Sequence, residues 1–195
     1  MRSRHASIAF VDFSLRNDVK LADFISQQSA LILADWVSFA ETCGAAGSAM
    51  DLGELRDHAA ALLVDIVTDL RTAQTAAEQS AKSKGDAPAN TTGEETAAEL
   101  HGTGRAASGF SMTEMVAEFR ALRASVLRLW IADSGTLTGG DLLDLMRFNE
   151  AIDQALAESV SRFADVTENT FTRNIWIGNK RIQVDPGYGL YRVDQ

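Results

Sequence analysis

The chain has 195 residues, enough for one domain with appendages, and its 46% hydrophobic and 23% charged residues allow a buried core and exclude wholesale disorder. Its formal charge of -9 is unevenly placed: residues 1–20 and 171–195 are each net basic, so the body between them is strongly acidic and disfavours nucleic-acid binding. The stretch Ser29 to Ala40 is too short for a bilayer and contains Asp35, the N-terminal apolar run is broken by Asp12, and Cys43 is the single cysteine, so no membrane insertion, signal peptide, disulfide or cysteine metal cluster is expected and a cytoplasmic location follows.

Residues 1–20 are read as an N-terminal extension, 21–169 as a helical domain and 170–195 as a tail. The first helix is expected from about Leu21 to Cys43, because Leu21, Phe24, Ile25, Ile32, Trp36 and Phe39 recur every three or four residues; Asn17 or Asp18 can cap it and Gly44 can end it. Asp51 opens a second helix, with Glu54 completing a capping box and Leu55, Ala59, Leu62, Leu63, Ile66, Val67 and Leu70 as its apolar stripe. The polar, Ala-rich run from Thr75 to Lys84 reads as an exposed helical continuation, and Gly85, Pro88, Asn90 and Gly93 as a loop.

Thr92 with Glu95 offers the next capping box, for a short helix through Leu100, His101, Arg105 and Ser108. Gly102 and Gly104 each weaken it by roughly 1 kcal/mol relative to Ala, so packing must hold it. Gly109 reads as a left-handed stop, and Ser111 with Glu114 as the cap of a fourth helix, about Met112 to Ile131, burying Met115, Phe119, Leu122, Val126 and Leu129 or Trp130. The fifth helix, Asp141 to about Asn169, carries Leu142, Leu145, Phe148, Ile152, Leu156 and Phe163. In the tail, Ile175–Ile177 and Lys180–Val184 flank Gly178-Asn179 and predict a small β-hairpin, which needs a partner surface to be stable. The fold expectation is thus all-α: a bundle of five helices with a short hairpin tail.

Three stretches carry a family resemblance: Leu52-Gly-Glu-Leu-Arg-Asp-His-Ala59; Thr96 to Phe110 running into Ala121 to Trp130; and Arg147-Phe-Asn-Glu-Ala-Ile-Asp-Gln-Ala-Leu156. With their spacers, over about residues 21–168, they resemble the RsbRD N-terminal domain, named for the RsbR co-antagonists of the stressosome and common at the front of bacterial sensor histidine kinases. The resemblance implies a globin-like fold that generally lacks haem, dimerises, and passes a signal through its last helix to an output domain. In the kinases that helix leads into a phospho-acceptor domain and an ATP-binding domain. The sequence carries neither, so kinase activity is expected to be absent and the output to come from a histidine kinase or other signalling partner, or from the tail.

Several residues could carry chemistry. His58 reads either as a haem or metal ligand or as a satisfied core histidine; the core reading is preferred, because neither a histidine nor a carboxylate follows four residues on, as a helical metal site requires. His101, in His-Gly-Thr-Gly-Arg, suggests as an alternative a histidine phosphotransfer protein, whose phospho-acceptor is an exposed histidine on a helical bundle, although Gly104 stands where that motif expects a lysine. Arg105, Arg120 and Arg123 with Asn149, Glu150 and Asp153 form an architectural clasp between the third, fourth and fifth helices, the lining of an anion pocket, or a solvated face with ion pairs such as Arg147 with Glu150. No phosphate-binding glycine loop, nucleophile elbow or Cys-His dyad is legible, so the chain is read as a non-enzyme without cofactor or metal. A homodimer is expected through Leu145, Ile152, Leu156 and Phe163 of the fifth helix.

Overall fold

The computed structural model describes residues 20–42, 51–86, 93–134, 137–173, 175–177, 180–185 and 189–192, with side chains to residue 168 except those at 52, 54 and 55. The helices are α1 (Leu21–Ala40), α2 (Leu52–Arg71), α3 (Ala76–Ser83), α4 (Ala97–Ala107), α5 (Met112–Ser134) and α6 (Gly139–Arg173). The body is all-helical, with six helices among the described residues where periodicity predicted five. The extra one is α3: the Thr75 hydroxyl accepts from Glu78 N–H while the Glu78 carboxylate accepts from Thr75 N–H, a local capping box that starts a separate helix after α2 has ended. Strands β1 (Ile175–Ile177), β2 (Lys180–Asp185) and β3 (Gly189–Arg192) follow α6 as an antiparallel sheet in chain order, with Ile175 opposite Ile182 and Gln183 opposite Tyr191.

The expected stops and caps at Asn17, Asp18, Gly44 and Thr92, the Leu55 side chain and the Gly178-Asn179 turn lie outside the described residues. α1 begins without a side-chain cap of its own; Leu21 N–H instead donates to Asp144 Oδ2 at 3.1 Å, so α6 caps α1. The capping box ahead of α4 is Thr96 with Glu99 rather than Thr92 with Glu95, which starts the helix four residues later than expected. Ser111 and Glu114 cap α5, and Gly109 takes φ +79° between α4 and α5. Arg147 closes the far end of α2 by donating to the carbonyls of Asp69 and Thr72 at 2.8 and 2.6 Å, where a helix leaves its last acceptors unmet.

The core is continuous across the bundle. Leu21, Phe24, Ile25, Ile32 and Trp36 of α1 pack with Ala59, Leu62, Leu63, Ile66 and Leu70 of α2, Phe119, Leu122, Val126 and Trp130 of α5, and Phe148 and Ile152 of α6. Of the two alternatives at the end of α5, Trp130 is the buried residue and Leu129 stays half-exposed. Among the described residues no helix is long and apolar enough to cross a membrane.

α4 lies along α6 at unusually close range, and the two glycines that weaken it are what allow the approach. A Cβ on Gly102 would fall 2.3 Å from the Ser159 carbonyl oxygen, while Ser159 Oγ, itself buried, donates to Ala98 O at 2.5 Å. The propensity lost at Gly102 is thus offset by a helix pair no larger residue could make. Gly102→Ala is expected to force the backbones apart and to lower the unfolding free energy by about 1–3 kcal/mol, the usual cost of overpacking, as read from urea denaturation. An unchanged midpoint would show that α4 has room to shift.

Candidate functional site

The close seating of α4 carries two polar residues into the core. His101 and Arg105 are one helical turn apart and so share a face, and both are fully buried. Across from them α5 presents Glu118, 1% exposed, on the same stripe as Met115, Phe119 and Leu122. Arg105 Nε donates to Glu118 Oε2 at 2.7 Å. His101 Nε2 stands 3.1 Å from the same oxygen. From α2, His58 brings Nδ1 to 3.4 Å from Arg105 Nη1, and from α1 Trp36 Nε1 donates to the Glu118 carbonyl at 3.0 Å. Four helices therefore meet on one ion pair.

Aromatic rings wall the cluster. The Arg105 guanidinium lies 4.9 Å from the Phe110 ring centroid and 6.0 Å from that of Trp36, within reach of a cation–π attraction. His101 meets Phe119 edge-on at 5.3 Å and His58 edge-on at 6.3 Å. Gly104 makes the space for His58, since a Cβ there would come to 3.0 Å from His58 Cε1. His58 is half-buried, and its outer side lines a cavity of about 340 Å³ with Leu100 and Glu94.

Burial pushes the His101 pKa below the ordinary imidazole range; Arg105 and His58 push the same way and the Glu118 carboxylate opposes them. His101 is consequently neutral at pH 7, beside an ion pair that is itself neutral overall. A phosphotransfer histidine must reach the aspartyl phosphate of another protein, and His101 has no exposed surface with which to do so. Among the described residues no group of three His, Cys, Asp or Glu side chains is arranged to hold a metal ion.

The other candidates do not join this cluster: of the two readings the sequence left open, a clasp or a solvated face with ion pairs, the described residues show several separate ties. Arg123 pairs with Asp153 at the surface between α5 and α6. Asn149 Nδ2 donates within its own helix to Leu145 O at 2.9 Å, and Glu150 accepts from Ser83 of α3 rather than pairing with Arg147. Arg120 is exposed in a shallow groove of about 610 Å³ beside Asp35 and Arg128, where the Ser125 hydroxyl and then Arg128 hold the Asp35 carboxyl below its ordinary range. The residues expected at a dimer interface also serve the core. Ile152 and Phe163 are buried in the protomer's own core and Leu145 and Leu156 pack against it, because α6 is the bundle's central support. Glu118, absent from the sequence-based candidates, was marked by its position: a carboxylate three residues after Met115 and four before Leu122 lies on the apolar stripe.

Removing one partner of the buried pair leaves an uncompensated charge. Glu118→Met is expected to cost about 3–5 kcal/mol in chemical denaturation, and the double change Arg105→Met with Glu118→Met to cost less than the single one, since well-packed apolar residues can replace a buried pair. A double mutant as unstable as the sum of both singles would mean that the cluster is not coupled. The pH dependence follows from His101. Its folded pKa lies below the unfolded value near 6.5, so between the two the unfolded chain binds more protons. The contribution is complete above about pH 6.5 and is lost as pH falls through the folded value. Relative to wild type, His101→Gln is expected to flatten the fall in unfolding free energy below pH 6.5; parallel curves would assign that fall to other groups.

Comparison with known families places this arrangement. A family profile described as the RsbT co-antagonist protein rsbRD N-terminal domain matches residues 30–175, which span the rest of the bundle from the middle of α1. No curated protein matches the chain, and no solved structure does. The match takes in the helices that build the buried cluster and covers most of the chain, and the chain therefore belongs to the rsbRD N-terminal domain family.

Proposed function

We propose that the chain is a non-catalytic sensory or regulatory domain of bacterial signal transduction, which dimerises and relays a signal to a partner such as a histidine kinase. The family match over residues 30–175 carries this reading, because it covers the bundle and the cluster at its centre together. The cluster supports it physically. A buried ion pair contributes little net stability but depends strongly on geometry, so a bundle organised around one has a preferred arrangement that small displacements disturb. Within this reading the bundle is globin-like in outline and works without haem: His101 is buried against Glu118, and His58 is engaged with Arg105. The location is cytoplasmic.

The dimer surface in this reading is the exposed part of α6, not its buried stripe. Leu142, Leu143 and Met146 are 53%, 60% and 53% exposed within two turns of its start. Such a grouping on a helix end is suited to burial against its two-fold copy. Sedimentation velocity at micromolar concentration is expected to give a dimer that Leu143→Glu with Met146→Glu converts to a folded monomer. A wild-type monomer, or a dimer indifferent to both changes, rejects this surface; Ile152→Asp does not test it, since it breaks the core.

A further inference from the structure

We infer that the cleft beneath α3, between α2, α4 and α6, binds a primary alkylammonium ligand, and that the Lys82 side chain occupies its place in this structure; this deepens the sensory reading and rests on it. The cleft comprises a cavity of about 190 Å³ and an adjoining one of about 410 Å³ that share Lys82, Thr96, Gln154 and Glu158. The smaller cavity has an apolar floor of Leu62, Ile66, Ala98, Ala151 and Ala155 and an acidic rim of Asp65, Asp69 and Glu158. An alkyl chain ending in an ammonium suits that combination: methylenes on the floor, charge at the rim.

Lys82 already presents this chemistry. Its side chain is 10% exposed, lines the same cavity, and ends in an ion pair with Asp69 Oδ1. Gln74 Nε2 reaches the same oxygen at 3.3 Å, whereas Asp69 Oδ2 is buried with no hydrogen-bond partner among the described residues. A ligand ammonium has three N–H donors with which to engage both oxygens. The rest of the rim is committed: Glu158 accepts from Thr96 and Gln154, and Asp65 from Ala97 N–H. Around both cavities the carboxylates of Asp65, Asp69, Glu99, Asp153, Glu158 and Asp165 outnumber Lys82 and Arg162, and Arg162 is held by Glu95.

The element that Lys82 belongs to is built to be released. α3 has eight residues, none of them buried, and a helix of that length is not stable alone in water. Lys82 to Asp69 and Ser83 to Glu150 tie it down. An ammonium ligand that takes Asp69 removes the first tie and frees α3, which converts occupancy of the cleft into a change on the surface of the bundle.

The test is titration of the full chain with n-butylammonium chloride, followed by amide chemical shifts at Asp69, Ala98 and Gln154, with tetramethylammonium at equal ionic strength as a control that has no N–H donor. Lys82→Ala vacates the site and is expected to give saturable shifts. Wild type is expected to bind about tenfold more weakly, because its own lysine populates the closed state. Asp69→Asn in the Lys82→Ala background is expected to abolish the response and Asp69→Glu to restore part of it, with circular dichroism confirming the helical fold of each variant. No saturable response in folded Lys82→Ala, a response unchanged by Asp69→Asn, or an equal response to tetramethylammonium overturns the site. Equal affinity in wild type and Lys82→Ala overturns the substitution by Lys82. A failed titration beside an intact dimer removes the ligand class alone, whereas loss of the dimer with titration intact removes the relay reading.

Discussion

A guanidinium and a carboxylate sealed in a helical bundle must hold each other, because neither can be left without a partner at that depth. Arg105 and Glu118 impose that constraint here, and the neighbouring helices are arranged around it. α4 must approach closely enough to deliver Arg105, which requires Gly102 against the Ser159 backbone. α2 must offer His58, which requires Gly104. α1 ties its Trp36 to the Glu118 backbone, so the same turn of α5 supplies a charge to one neighbour and a carbonyl to another.

This places the polar specificity of the domain and its apolar stability in different residues. Phe119, Trp130, Phe148, Ile152 and the α1–α2 stripe supply burial, which is tolerant of direction. The cluster supplies little net stability but admits one geometry. The surface ties Arg123 to Asp153, Arg128 to Asp35 and Arg162 to Glu95 are exposed, where ion pairs contribute little, and they orient helices rather than hold them. Arg147 differs from these surface pairs, since it donates to backbone carbonyls at the C-terminal end of α2.

The two regions of interest differ in how easily they can move. His101, Arg105 and Glu118 are buried between helices that share the core. The cleft under α3 is bounded on one side by a helix with no core residues, so a perturbation there is resisted by polar ties alone. α6 connects them: Ser159 seats α4 from one face of it, while Glu150 and Glu158 bound the α3 side from another. The buried ion pair and the cleft under α3 thus rest on the same long helix.

Much of this was determined by the sequence alone. Periodicity at three and four residues specified five of the six described helices and most of the large core residues from Leu21 to Phe163, though not Leu33, Phe110 or the buried alanines, because burying one face of a helix is a local, repeating requirement. Gly109 and the Ser111–Glu114 box were legible for the same reason: a cap is made within four residues of itself. What only the tertiary structure decided is which polar residues meet. Arg105 could not be assigned to Glu118 rather than to Asp153, nor Glu150 to Ser83 rather than to Arg147, because those pairings depend on how close α4, α3 and α5 come to one another. That distance is set by residues far away in the chain, such as Ser159 beneath Gly102. A sequence shows that a charge lies on a buried face; the partner it finds there is a property of the packing.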